Sequence, residues 1–264
     1  YGGGKGTTHG DGTPGGSGGG AAFSDTGGFG LNPSTPSPII TSDFPGESHP
    51  YAFTQGYPGG PGAPSPGSAV PGSGGGGAGG LIYKIGEILT GTYEILVGKG
   101  GLGMTYSYST MENYNNGSDS GIYNSSGNVL YLTKGGGAGG ARQTNGASGG
   151  SGGGGGGGVN NTPGTGGLSI DYVPYTHSIG YSGGDGNRYT KGGGGGGAGG
   201  AGGGAGGNAY SVGVAGNGGL PKIINITGEY KVYAGGGGGG SWQVEPGEGG
   251  SVVIGDQIVK VGGD

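Results

Sequence analysis

Three kinds of residue in this sequence could carry chemistry: histidines, glycine-rich turns beside a charged residue, and tyrosines. His9, His49 and His177 lie far apart, and none has a second ligand at the spacing of a metal site. We interpret them as solvated loop residues. The sequence therefore predicts a non-enzymatic protein with no metal and no cofactor.

Two glycine-rich motifs are superficially similar to ligand-binding loops. Lys5, in segment 2–7, is followed by glycine, whereas a phosphate-binding loop needs Ser or Thr directly after the lysine, at the start of a helix. Segment 183–187 contains Asp185 but lacks the repeated acidic positions of a calcium-binding loop. Neither motif predicts a ligand site.

The 17 tyrosines are more informative, because most of them cluster in inserts between glycine blocks. Tyrosine offers a large contact area and a hydroxyl group at low entropy cost, so these inserts indicate a recognition surface for a glycan or an outer-membrane protein. The alternative is that tyrosines form a hydrophobic coating over the flat faces of a glycine core. The candidate binding residues are Tyr106, Tyr108, Tyr114, Tyr123, Tyr172, Tyr175, Tyr181 and Tyr189.

Four sequons for N-glycosylation are present, where composition alone gives roughly two. This excess favours an extracellular or virus-encoded glycoprotein. The acceptor residues are Asn116, Asn124, Asn160 and Asn225.

Glycine, at 88 of 264 residues, dominates the composition and must be explained by any fold. Collagen has a similar share but needs glycine at every third position with abundant proline, whereas these glycines form blocks and only 15 prolines occur. Disorder of the highly charged kind is disfavoured, because the net charge is only −5. Only 10 residues are Lys or Arg, which argues against nucleic acid as a partner. The chain has no run of about 18 apolar residues, so membrane insertion is not predicted.

The chain divides into two regions. Residues 1–70 form a glycine- and proline-rich extended segment, which we expect to pack on the second region, residues 71–264. That region contains glycine blocks separated by inserts of very different length. Since Tyr1 lies inside a glycine-rich stretch, we expect the chain to be processed or part of a longer polypeptide. The blocks span 74–80, 135–140, 149–158, 192–207 and 235–240.

Three echoed segments predict β-hairpins. In 89–98, 226–235 and 253–262, two glycines bracket a short run of β-branched and aromatic residues, and another apolar run precedes the first glycine. An apolar run, a turn glycine and a second apolar run are typical of a hairpin. Helix is predicted to be nearly absent, because glycine costs about 1 kcal/mol per helical position.

Ordered glycine blocks would need to satisfy their backbones with one another. A polyproline-II-like glycine helix has three residues per turn and no internal hydrogen bonds, so its N–H and C=O groups must find partners in neighbouring segments. We predict a polyglycine-II lattice, or sandwich, with short hairpins and long irregular loops, in which alanine or serine faces solvent or a gap. The alternative is that the blocks are disordered spacers.

Residues 70–264 resemble the glycine-rich domain of phage tail-fibre adhesins and large-virus surface proteins. The similarity lies in run 74–81 followed by the strand at 93–98, and in block 192–207 leading to 230–240. In that family, polyglycine-II helices pack into a sandwich and the intervening loops contact the host surface. The resemblance implies a virion surface or extracellular protein that binds host glycans or outer-membrane proteins, with other virion or fibre subunits as partners.

Two further functions remain open. The chain could be a structural subunit of an extracellular or viral filament, joined through lattice edges or hairpins. A flat polyglycine face could also bind ice, although the long irregular inserts would interrupt such a face.

Overall fold

The computed structural model describes residues 72–86, 89–101, 116–158, 162–171, 179–207, 212–225, 228, 230–241, 244–254 and 257–260. Within these ranges there is no α-helix, and seven short strands form three separate antiparallel sheets. The near absence of helix predicted from glycine content is thus confirmed for this part of the chain. The predicted segment 1–70 lies outside the described residues.

The largest sheet has three strands: β1 (Tyr93–Leu96), β2 (Ser120–Asn124) and β3 (Val129–Thr133), in the order β1-β2-β3. A register shift falls between Ile122 and Tyr123. The two-stranded sheets are β4 (Lys222–Ile224) with β5 (Lys231–Tyr233), and β6 (Ser251–Ile254) with β7 (Gln257–Lys260).

Two of the three predicted hairpins are confirmed, and one is wrong. Strands β4–β5 pair across the turn that contains Gly228, and β6–β7 pair with Ile254 opposite Gln257. In the first predicted hairpin, β1 does not pair with the preceding apolar run. It pairs with β2, so that Ile95 lies opposite Ile122, and the other edge of β2 pairs with β3.

Between the sheets, the glycine segments bond to one another through their backbones. Residues 151–158 show the rule: their N–H groups donate to three different segments in turn, and each partner segment returns at every third residue. Successive residues therefore form their hydrogen bonds in three different directions around the segment. One such set, with N···O distances of 3.0, 2.9 and 2.7 Å, joins Gly152 to Tyr181, Gly155 to Gly184 and Gly158 to Asn187.

Two of these segments are enclosed by others on all sides. Both 150–158 and 192–198 exchange backbone hydrogen bonds with six surrounding segments, some parallel and some antiparallel. The neighbours of 150–158 are 72–78, 137–143, 144–147, 164–167, 181–187 and 193–196. Those of 192–198 are 72–78, 152–155, 184–187, 200–203, 216–219 and 234–240.

Close approach of the backbones explains why these positions are glycine. A Cβ atom at Gly154 would fall within 3.0 Å of the Gly193 backbone, and one at Gly195 would fall equally close to Gly76. Neither glycine has a φ in the left-handed region, so the constraint is space and not backbone conformation. Side chains here would force the segments apart and break the bonds between them.

Large apolar side chains contribute little to the interior of the described region. The buried hydrophobic residues are mostly alanine, and Ala78, Ala198 and Ala234 form a cluster against which Leu81, Ile179 and Tyr233 pack. Block alanines and serines are predicted from the sequence to face solvent or a gap, and the solvent alternative is wrong for the buried residues Ala78, Ala138, Ala198 and Ser151.

Polar side chains complete the hydrogen bonding where a neighbouring segment is missing. Asp185 Oδ1 accepts from the Gly166 N–H at 2.8 Å, Asn145 Oδ1 from Thr165 at 2.9 Å, and Asn217 Oδ1 from Glu248 at 3.0 Å. These side chains accept N–H groups that no neighbouring segment pairs, and they therefore cap the border of the packed segments.

Residues joined by backbone hydrogen bonds lie at the same level along the packed segments. The two ends of the packed segments can therefore be distinguished. We call the level of Ala78, Ala198 and Ala234 the sheet end, because all three sheets adjoin it. The bonds of Gly80 to Lys134, Gly199 to Leu220 and Gly250 to Gly236 tie the roots of the sheets to this level. The opposite level, the turn end, contains Ser73, Gly192 and Gly240, which are joined by two bonds of 2.9 and 2.8 Å.

Candidate recognition surface

The two tyrosine-rich inserts both leave the packed segments at the sheet end. Insert 102–115 connects β1 to β2, and insert 172–178 connects Asp171 to Ile179. Backbone bonds of 2.9 and 2.7 Å hold Ile179 against Leu81, which directly follows segment 72–80. The described flanks of both inserts therefore lie at one end of the molecule. The candidates Tyr106, Tyr108, Tyr114, Tyr172 and Tyr175 themselves lie outside the described residues.

Tyr123 belongs to the three-stranded sheet. It lies in β2 opposite Glu94 of β1 and is half-buried. A Cβ placed on Gly121 would approach the Tyr123 ring to 3.2 Å, so this ring covers the glycine two residues earlier on the same face. Tyr123 thus combines a packing role with partial exposure.

Tyr181 is the most exposed of the described candidates, at 44%. Its carbonyl group accepts the Gly152 N–H at 3.0 Å, so the backbone is fixed by the packed segments while the side chain faces outward. A rigid backbone with an outward tyrosine is the arrangement that a recognition surface requires.

Tyr189 lies at the turn end and does not join the other candidates. The Arg188 guanidinium lies 4.8 Å from the centre of its ring, and Lys191 Nζ lies 5.9 Å from it. Six residue-to-residue steps lead from Tyr181 to Asn187, and at about 3.1 Å per step for an extended three-fold backbone they separate these sites by roughly 19 Å. Tyr181 and Tyr189 therefore lie near opposite ends of segment 181–187.

The turn around Tyr189 also holds a buried lysine. Lys191 is fully buried, and its Nζ lies 3.4 Å from the Tyr189 carbonyl oxygen. Burial lowers the pKa of Lys191, because removing the ammonium group from water disfavours its charged form. Asn187 Oδ1 closes the turn by accepting the N–H groups of Tyr189 and Lys191, at 2.9 and 3.2 Å.

The sequon asparagines differ in what their side chains do. Asn116 caps the packed segments, since its Oδ1 accepts the Ala138 N–H at 3.2 Å and its Nδ2 donates to the Ser148 carbonyl at 2.6 Å. Asn124 Oδ1 accepts the Ser126 and Asn128 N–H groups in the β2–β3 turn. Asn225 is exposed in the β4–β5 connection, and Asn160 lies outside the described residues.

Sequence reasoning missed an apolar groove at the sheet end. It has a volume of about 580 Å³ and lies between segment 81–84 and one face of the three-stranded sheet. Lys84 Nζ lies 5.4 Å from the centre of the Tyr131 ring. The signal was present in the apolar runs at 81–89 and 95–97, but an incorrect hairpin pairing assigned them to each other.

In segment 183–187, which does not have the pattern of a calcium-binding loop, Asp185 Oδ1 and Asn187 Oδ1 each accept backbone N–H groups. Among the described residues no cluster of three or more His, Asp or Glu side chains could hold a metal ion, and His9, His49 and His177 lie outside them. The same part of the chain contains no helix able to cross a membrane.

Comparison with known proteins adds no relative. No family model, no curated protein and no solved structure matches this chain.

Proposed function

We propose that this chain is a non-enzymatic surface protein of a virion, of the tail-fibre or capsid-fibre adhesin type. In this proposal the glycine segments are polyglycine-II helices, packed as a lattice that holds Tyr- and Asn-rich loops toward a host surface. The three-residue recurrence of hydrogen-bond partners and the six segments around 150–158 support the lattice, since a polyglycine-II helix has three residues per turn.

One observation carries the adhesin role: the described flanks of both tyrosine-rich inserts lie at the sheet end. Loops presented together by a rigid scaffold are a common arrangement for binding. We propose a host glycan or outer-membrane protein as the receptor, and Tyr181 as the described residue that borders this surface. Its rigid backbone and outward side chain fit that role.

The test replaces tyrosines in one of the two tyrosine-rich inserts and compares them with a tyrosine in a different insert. Full-length chain with Tyr106, Tyr108 and Tyr114 changed to serine should lose at least tenfold in binding to glycan arrays and to intact bacterial and eukaryotic cells. The matched control is Tyr210→Ser, in the insert between Gly207 and Val212. If the triple variant binds as well as wild type while its melting temperature is unchanged, the adhesin proposal is wrong.

A filament subunit is the second candidate, and the exposed edge of β1 favours it. Ile95 is 68% exposed and Leu96 is 46% exposed, and both belong to β1, which lies at the edge of the three-stranded sheet. Exposed apolar edge strands pair readily with other chains. Electron microscopy and sedimentation of concentrated protein test this function, because a chain that stays monomeric contradicts it.

A further inference from the structure

The groove at the sheet end has an apolar floor and an apolar wall. Strand pairing places Ile95 opposite Ile122 and Ile122 opposite Tyr131, so these three side chains form a row on one sheet face. Leu81 and Ile82 lie along the opposite wall of the groove. The groove is therefore built by two distant parts of the sequence that the fold brings together.

Several apolar side chains that line the groove are exposed to solvent, unlike the buried apolar side chains of the interior. Ile95 is 68% exposed, Leu96 46% and Leu89 43%. Apolar side chains that line one groove are a common feature of ligand-binding sites. The volume of about 580 Å³ lies within the range of roughly 300–1,000 Å³ that is typical of pockets for small ligands.

A single kind of charge accompanies this apolar lining. Lys84 lines the groove, whereas its described lining includes no Asp or Glu. The ammonium group lies 5.4 Å from the centre of the Tyr131 ring, at the side where the apolar wall and the sheet face meet. A ligand that complements this lining has an alkyl chain for the aliphatic residues and an anionic group for Lys84.

We propose that the groove binds a single-chain anionic amphiphile, namely a long-chain fatty acid carboxylate. The alkyl chain lies against Ile95, Ile122 and Tyr131, and the carboxylate lies beside Lys84. A second copy of this chain docked groove to groove fits less well, because two concave surfaces facing each other leave a void between them. This inference does not depend on the proposed adhesin function, which concerns other residues.

The experiment measures binding of a sixteen-carbon fatty acid, below its micelle-forming concentration, to the full chain by calorimetry. Ile95→Glu should weaken binding at least tenfold, because it places a carboxylate against the alkyl chain. The matched control is Leu168→Glu, since Leu168 is 65% exposed and lies outside the groove. It should bind within twofold of wild type. Leu89→Glu, on another part of the lining, serves as a second groove variant if Ile95→Glu does not fold.

A third variant tests the charge. Lys84→Gln should weaken binding of the carboxylate by about two- to fivefold, the range expected for an exposed ion pair, and leave binding of the matching long-chain alcohol unchanged. Three results would overturn the proposal. They are the absence of saturable binding, equal affinities of the Ile95 and Leu168 variants, and a wild-type dimer in sedimentation that Ile95→Glu dissociates. An equal effect of Lys84→Gln on acid and alcohol refutes the carboxylate assignment.

Discussion

Gly195→Ala tests whether glycine is the core residue of this protein. Gly195 lies in the enclosed segment 192–198, and a Cβ there would fall within 3.0 Å of three backbone atoms of Gly76 and Gly77. Backbone atoms cannot rotate away as a flexible side chain can. The methyl group therefore has to push segment 72–78 away from segment 192–198.

The cost follows from the bonds between these two segments. Gly75 donates to Gly193 at 2.9 Å, and Ala78 donates to Gly196 at 3.0 Å. Losing two buried hydrogen bonds costs about 1–3 kcal/mol at about 0.5–1.5 kcal/mol each. Overpacking of a dense interior adds about 1–3 kcal/mol. We therefore expect a loss of roughly 2–6 kcal/mol in the free energy of unfolding.

The matched control is Gly206→Ala, which should have the opposite sign. A Cβ at Gly206 would meet no atom within 4 Å, and its φ is not in the left-handed region. Alanine there restricts the unfolded chain and should stabilise the protein by about 0.4–1 kcal/mol. Denaturant unfolding followed by circular dichroism measures both variants. If Gly195→Ala and Gly206→Ala unfold at the same denaturant concentration, glycine is not required by close backbone packing.

Three further predictions concern the border and the ends of the packed segments. Asn187→Ala removes two hydrogen bonds that the side chain accepts and two that it donates, and should lower the free energy of unfolding by about 2–4 kcal/mol. Asn145→Ala removes one accepted hydrogen bond and should lower it by about 1 kcal/mol. Equal losses in denaturant unfolding would contradict the capping role. Burial lowers the folded-state pKa of Lys191, so between that pKa and the unfolded value of 10.5 the unfolded state binds more protons than the folded state. The stability of wild type should therefore rise with pH over that window, relative to Lys191→Met. Unfolding curves between pH 7 and pH 10 that stay parallel for the two proteins would contradict the lowered pKa. In a secretory host, mass spectrometry of the folded protein should find glycan on exposed Asn225 and none on Asn116, whose side chain is engaged in capping; occupied Asn116 in folded protein would show that the cap is dispensable.

Some features followed directly from local sequence. Gly228 and segment 255–256 each separate two short apolar runs, and strands β4–β5 and β6–β7 pair across them. The tendency of glycine to oppose helix formation likewise acts at each residue, so helix could be excluded without knowing any tertiary contact. The hairpin prediction for β1 was wrong because the pairing of β1 is not local in sequence. Its nearest apolar run in sequence was the wrong partner, because β2 lies beyond a long insert.

The candidate surface was only partly predictable. Clustering of tyrosines between glycine blocks marked the inserts, but it did not separate Tyr181 from Tyr189, which lie near opposite ends of one segment. The sequon pattern likewise did not distinguish Asn116, whose amide caps a packed segment, from exposed Asn225. Both distinctions depend on which segments are neighbours in space.

The sequence alone determined that this protein has to solve the problem of ordering glycine without a conventional core. Glycine blocks provide N–H and C=O groups and almost no side chain, so a folded arrangement has to pair those groups between segments. Tertiary structure alone decided which segments surround 150–158 and 192–198, and therefore which ends the inserts leave from. The physical reason is that glycine segments have nearly identical surfaces. Local sequence therefore does not distinguish one pairing from another, and only a few side chains, such as Asn187 and Asp185, mark the border of the packed segments.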